Sequence, residues 1–259
     1  GHVLRTSRIR NWGYNRMTSV EGLFGAGDAV GGTPHAFSSG SFTEGRLAAK
    51  AACKYIDDGK GEGIVVSDKQ IADRKDQIYR PLETYRVGRN EITAGTVSPS
   101  YILPMPGLQR LQKIMDEYCG GVTVSYMTND KLLNMGMQKM SIMEEDLEKL
   151  GAEDIHQLMR AWELKHRHRT SEAVFQHTFF RKETRWPGYY YRGDAMKLDD
   201  ENWHVLTVSH RDRDTGEYTM SKAPCYHLVN DEPVAKKKAP AKKADVPVEA
   251  KVKAEAGAS

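Results

Sequence analysis

Apolar residues recur at helical spacing through the second half of the chain. Leu108, Leu111, Ile114, Met115 and Tyr118 form one stripe, and Gly120-Gly121 stops it. Leu133, Met137, Met140, Met143, Leu147 and Leu150 form a second, closed by Gly151. Ile155, Leu158, Met159 and Trp162 start a third helix, expected to reach about Arg167, and a fourth is expected over residues 171–182. Short connections between such stripes predict an antiparallel helical bundle, with the Met stripe as core filling. Trp186-Pro187-Gly188 breaks the pattern. Alternation over 203–209 and 217–220, with Asp214-Thr215-Gly216 between, predicts a small β-hairpin.

The first sixty residues read differently. Residues 22–26 (Gly-Leu-Phe-Gly-Ala) predict a short buried strand ending in Gly27-Asp28. A glycine-rich loop follows from Gly31 to Ser41, and then a helix over 44–56. Leu47, Ala48, Ala51, Ala52 and Tyr55 share one side of that helix, and its many small residues suit tight packing on a sheet. Residues 59–105 show no strong period and read as a connector with a few short elements. Residues 233–259 are Ala, Lys, Pro and Val with almost no bulky side chain, a composition expected to stay disordered. There is no internal repeat.

Composition changes the picture in two places. Of 259 residues, 28% are charged and 39% hydrophobic, which excludes a membrane protein and a wholly disordered one; no run approaches the roughly 20 apolar residues that span a bilayer. The net charge of +3 invites a nucleic-acid reading until it is located. Residues 235–259 hold seven Lys against Asp245, Glu249 and Glu255, giving +4, so residues 1–234 carry 3 − 4 = −1. The basicity belongs to the tail, and no nucleic-acid partner is expected. Cys53, Cys119 and Cys225 lie more than sixty positions apart with no C-x-x-C pair. A zinc site or iron–sulfur cluster held by this chain alone is not expected, and the cysteine usage fits a reducing compartment. The start, Gly1-His2-Val3-Leu4-Arg5, has no apolar core of a signal peptide and no initiating Met, as in a processed chain or part of something longer.

The candidate chemistry lies in the glycine loop. A strand, a Gly-Asp, a glycine loop and a helix make a layout for phosphates or cofactors, because a helix N-terminus offers unpaired N–H groups and partial positive charge. Asp28 suits sugar or polyol hydroxyls. There is no G-x-G-x-x-G and no Walker A loop. On composition alone, a tight turn before a packing helix accounts for the pattern equally well.

The residues themselves go further. Residues 20–31, Val-Glu-Gly-Leu-Phe-Gly-Ala-Gly-Asp-Ala-Val-Gly, resemble the second flavin-binding signature of the succinate dehydrogenase/fumarate reductase flavoprotein superfamily. Within it, Trp-Gly-Tyr-Asn-Arg-Met-Thr at 12–18 and His-Ala-Phe-Ser-Ser-Gly-Ser-Phe-Thr-Glu-Gly-Arg at 35–46 resemble the adenylylsulfate (APS) reductase α-subunit family. So do the segments 79–84, 108–118, 154–163, 181–192 and 199–203, and the resemblance runs from about Trp12 to about Leu228.

This resemblance implies a cytoplasmic FAD enzyme that interconverts adenylylsulfate with AMP and sulfite, sulfite joining the flavin N5. Its partner is a small β subunit that carries the iron–sulfur clusters. The implied fold is an α/β fragment of an FAD-binding domain (1–58), a connector (59–105), a mainly α-helical C-terminal domain with a small β-hairpin (106–230), and a disordered tail (231–259). Gly27 and Asp28 would meet the ribityl-phosphate part of FAD. Ser38, Ser39, Gly40, Ser41 and Phe42 would lie at the pyrimidine edge of the isoalloxazine, and Glu44 would also belong to the cofactor-binding set. His35 matches a substrate-binding position that is Arg in fumarate reductases, and would sit beside the sulfite or sulfonyl group. The glycine fingerprint for the ADP half of FAD is not in this sequence, so the chain reads as a C-terminal fragment, inactive alone.

Two alternatives remain: a dicarboxylate oxidoreductase of the same superfamily, and a non-catalytic truncated product that docks a partner. His35 in place of Arg, and the lack of an Arg-Leu-Gly-Gly-Asn-Ser run, argue against the first. Arg181, Glu183, Arg185 and Arg192 are expected to form a structural ion-pair network. His166, His168 and His177 are not expected to bind metal.

Overall fold

The computed structural model describes residues 3–4, 13–31, 38–63, 65–91, 98–185 and 188–225. His35, Trp186-Pro187 and the Lys-rich tail lie outside them. The helices are α1 (Ser38–Asp57), α2 (Asp68–Gly88), α3 (Pro104–Tyr118), α4 (Asp130–Leu147), α5 (Ile155–Phe180) and the single turn α6 (Asp200–Trp203). Among the described residues, three two-stranded sheets accompany them. β1 (Val3–Leu4) pairs in parallel with β2 (Val30–Gly31), and β3 (Met127–Thr128) with β4 (Tyr191–Arg192). β5 (Val205–Arg211) and β6 (Tyr218–Pro224) form an antiparallel hairpin. The fold is therefore mainly helical with a small hairpin, as expected.

The core is built by α3, α4 and α5. Leu111, Ile114, Leu133, Met140, Met143 and Phe175 are among its buried side chains, and Met137 packs half-buried against them. α4 starts at Asn129, whose side chain accepts from the Leu132 N–H, and α5 at Asp154, which accepts from Gln157; both are N-caps of the kind that satisfies an orphan helix donor. At Gly136 a methyl group would collide with the Phe175 ring and approach Tyr118 Cβ, so glycine is what lets these elements close together.

Three expectations need correction. First, residues 155–180 form one helix rather than two. The polar run at 166–170 hides the continuity, yet His168 is buried with its Nε2 2.9 Å from the Met140 carbonyl. Arg169 meets Glu144 and Glu172 across the surface. Second, the connector contains the 21-residue helix α2. It is exposed along most of its length, so it has no apolar stripe to read; only Pro81 and Gly88 are buried. Its start is marked instead by a reciprocal capping box of Ser67 and Gln70. It is held by its backbone, the Trp162 indole donating to the Ile78 carbonyl (2.9 Å) and the Ala152 N–H to the Pro81 carbonyl (2.9 Å). Third, residues 22–26 are not a strand. Phe24 makes an isolated antiparallel bridge to Met17 around a tight turn, in which the Thr18 N–H donates to the Leu23 carbonyl (2.7 Å). The hairpin is longer than predicted, and its turn is held by Asp212 accepting from the N–H groups of Asp214 and Thr215.

Candidate functional site

α1 begins at Ser38, six residues earlier than its apolar pattern indicates, so the end of the glycine loop is the first turn of the helix. That turn carries no acidic side chain. Ser38 and Ser39 are exposed, Gly40 and Ser41 half-buried, and Phe42 is 81% exposed. The first N–H groups of a helix have no intrahelical acceptor and carry partial positive charge. The turn thus offers donors and an exposed aromatic ring together.

The buried side of α1 is Glu44, Ala48, Ala51 and Tyr55. Segment 13–29 is seated on it by three contacts in register. At the far end, Tyr14 and Phe24 meet the Tyr55 ring edge-on, with centroids 5.1 and 6.1 Å away. Asp58 accepts from Tyr14 (2.8 Å) and Lys54 (2.7 Å). Its carboxyl is held below the usual range by the Lys54 and then the Tyr14 hydrogen bond, and the Tyr14 hydroxyl is correspondingly raised. In the middle, the Arg16 guanidinium grips the Glu44 carboxylate through both Nε and Nη2, the latter at 2.7 Å from Oε1. Both residues are buried. At the near end, Gly27 (φ +65°) packs on Ser41; a Cβ there would lie 3.2 Å from Ser41 Oγ.

The structure therefore brings Gly27 to the first turn of α1, beside Ser41, and Asp28 follows in the short helical turn Gly27–Ala29. Glu44 faces Arg16 within the packing. Arg16 is the residue that sequence reading passes over: it lies 28 positions from its partner, and no periodicity connects them. The acid-free first turn and the close Gly27–Ser41 contact are what an electron-rich ring edge followed by a polyol chain would require of these residues.

Two other features need placing. A groove of about 770 Å³ runs between α3, α5 and residues 119–126. It contains Cys119, whose thiol burial pushes up to about 11, and Tyr190, whose hydroxyl burial also raises. Neither is poised as a nucleophile or base. The expected ion-pair network exists in two parts. Glu183, fully buried, accepts from Arg181 and Arg185 and from the Asp199 N–H (3.0 Å). Arg192, also fully buried, binds Asp130, Asp194 and the carbonyls of Thr178 and Arg181. These groups tie the end of α5 to the start of α4 and are structural. Among the described residues no group of three His, Cys, Asp or Glu is arranged to hold a metal ion, and no helix is long and apolar enough to cross a membrane.

The profile of the fumarate reductase flavoprotein C-terminal family matches residues 108–246. The chain belongs to this family. Within the flavoproteins, its likeness to APS reductases extends upstream of the matched region. The α subunit of adenylylsulfate reductase from Megalodesulfovibrio gigas is 42% identical over 219 residues, 83% of this chain and 32% of that subunit. The adenylylsulfate reductase structure from the hyperthermophilic Archaeoglobus fulgidus superposes with a TM-score of 0.81 at 48% identity, covering 86% of this chain and 35% of that one. A structure of adenosine-5-phosphosulfate reductase in complex with sulfite as a covalent adduct gives 0.79 at 48% identity, covering 83% and 34%. This chain of the flavoprotein family spans about a third of the length of those relatives.

Proposed function

We propose that this chain is the C-terminal portion of the α subunit of a cytoplasmic, FAD-dependent adenylylsulfate reductase. Its boundaries would be a flavin-edge segment to residue 58, a connector to 105, a helical domain to 230 and a tail beyond. The whole enzyme would interconvert adenylylsulfate with AMP and sulfite, and a β subunit with iron–sulfur clusters would exchange the electrons. The observation that carries this reading is the packing of Gly27 on Ser41 in the first turn of α1, in a chain 42–48% identical to APS reductases.

FAD supplies two-electron redox chemistry when bound. The residues of this chain bind and orient it. Gly27 would keep the backbone close, Asp28 would accept from polyol hydroxyls, and the N–H groups of Ser38 to Ser41 would favour negative charge at the pyrimidine edge. Phe42 would lie at that edge, and Arg16 holds Glu44 within the packing. By the resemblance, His35 would hold the sulfite or sulfonyl oxyanion, as imidazolium or as a single neutral donor. The dicarboxylate alternative fits less well, since His35 stands where fumarate reductases carry Arg.

The test is turnover in the full-length flavoprotein. Sulfite- and AMP-dependent reduction of an electron acceptor is expected, with no succinate oxidation. His35→Ala is expected to keep FAD and lose most of that turnover. Undiminished turnover would remove His35 from the site, and succinate oxidation would overturn the assignment.

A further inference from the structure

Arg16 has a left-handed backbone, φ +66°. That region is uncommon for a residue other than glycine and carries strain. The strain is held in place: the Gly25 N–H donates to the Arg16 carbonyl (3.0 Å), and Asn15 Oδ1 takes Nη1 (2.6 Å). The result is an Arg16 only 3% exposed, its guanidinium held on both carboxylate oxygens of Glu44, a residue 5% exposed. Such bidentate pairing is geometrically specific.

Glu44 stands close to the business end of α1. Six residues after Ser38, it lies about 9 Å along the axis from the helix start. Side chains tilt toward the N-terminus, and residues three and four apart share a face, so Glu44 lies on the face of Gly40 and Ser41. A bare carboxylate there would oppose the partial positive charge of the first turn. Arg16 cancels it.

We propose that Arg16 and Glu44 are a positioning pair that keeps the N-terminal turn of α1 electropositive toward the flavin. Arg16 neutralises the carboxylate behind the turn, and the same grip sets the register that brings Gly27 to Ser41. The inference rests on the flavin reading above and adds a prediction that reading does not make. The two charges act on the flavin with opposite sign, although each supports the same packing.

The experiment measures the flavin midpoint potential and the thermal melting of the full-length flavoprotein, wild type against Arg16→Gln, Glu44→Gln and the double variant. Arg16→Gln removes one positive charge and is expected to shift the potential negative. Glu44→Gln leaves the guanidinium and is expected to shift it positive. The double variant is expected to return near wild type, although all three melt lower. Arg16→Lys, which keeps the charge and loses the fork, is expected to hold the potential near wild type. Single variants that shift the potential in the same direction, or not at all, would overturn the proposal and leave a purely structural pair. If Arg16→Gln fails to retain flavin, Glu44→Gln and the double variant decide by the same criterion. A wild-type protein without FAD would overturn the flavin reading first, before any variant is compared.

Discussion

Arg192, the last residue of β4, and Asp194 face each other across one residue, with Nε to Oδ1 at 2.9 Å and Nη2 to Oδ2 at 3.0 Å. Asp194 also accepts from the Asp130 N–H (2.9 Å), the first residue of α4. One carboxylate thus compensates a buried guanidinium and caps a helix N-terminus.

The pH dependence follows. The Arg192 hydrogen bond, foremost, and the Asp130 N–H hold the Asp194 carboxyl down to about 2. An unfolded aspartate titrates near 3.9. A carboxyl depressed in the folded state stabilises fully above the unfolded value, and its contribution is lost as pH falls from about 4 through about 2. Asp194→Asn is expected to cost about 1 kcal/mol at neutral pH, after discounting for solvent screening. Its penalty against wild type should shrink across that acid window. A penalty independent of pH in urea melts would show that the carboxylate charge is not the source.

Gly136 tests the packing of the bundle. Alanine favours a helix over glycine by about 1 kcal/mol. Here its methyl would meet the Phe175 ring, and Phe175 is fully buried and cannot yield. Overpacking costs about 1–3 kcal/mol, so Gly136→Ala is expected to lower the melting temperature. An unchanged or raised melting temperature would show that α4 and α5 are not held this closely.

The cysteines divide by environment. Cys53 is exposed and Cys119 buried, with its thiol raised to about 11. Since the thiolate is the reactive form, iodoacetamide at neutral pH is expected to label Cys53 and spare Cys119 in the folded protein. Mass spectrometry of the alkylated peptides reads this directly. Equal labelling of both would mean that the groove at Cys119 opens in solution.

Where the sequence was legible, a period made it so. The stripe from Leu108 to Tyr118 and the Met140–Met143 core are helical faces buried on one side, and they pack as their spacing predicts. α2 was opaque because its surface faces outward; its capping box carried the only local signal. α5 looked like two helices because His168 is a polar residue doing a core residue's job, satisfied by the Met140 carbonyl. The candidate site was read as a motif in Gly27 and Ser38 to Phe42. Its support was not, since Arg16 and Glu44 meet only through the fold. His35 lies outside the described residues, and its role rests on the resemblance alone.

The central claim is that this segment forms the flavin edge of an APS reductase. The most direct measurement is a sulfite titration of the full-length flavoprotein, followed through the flavin absorption spectrum. The expected result is a saturable spectral change with sulfite in the wild type, weakened in His35→Ala while the FAD content stays the same. A flavin spectrum indifferent to sulfite in the FAD-loaded wild type would contradict the claim.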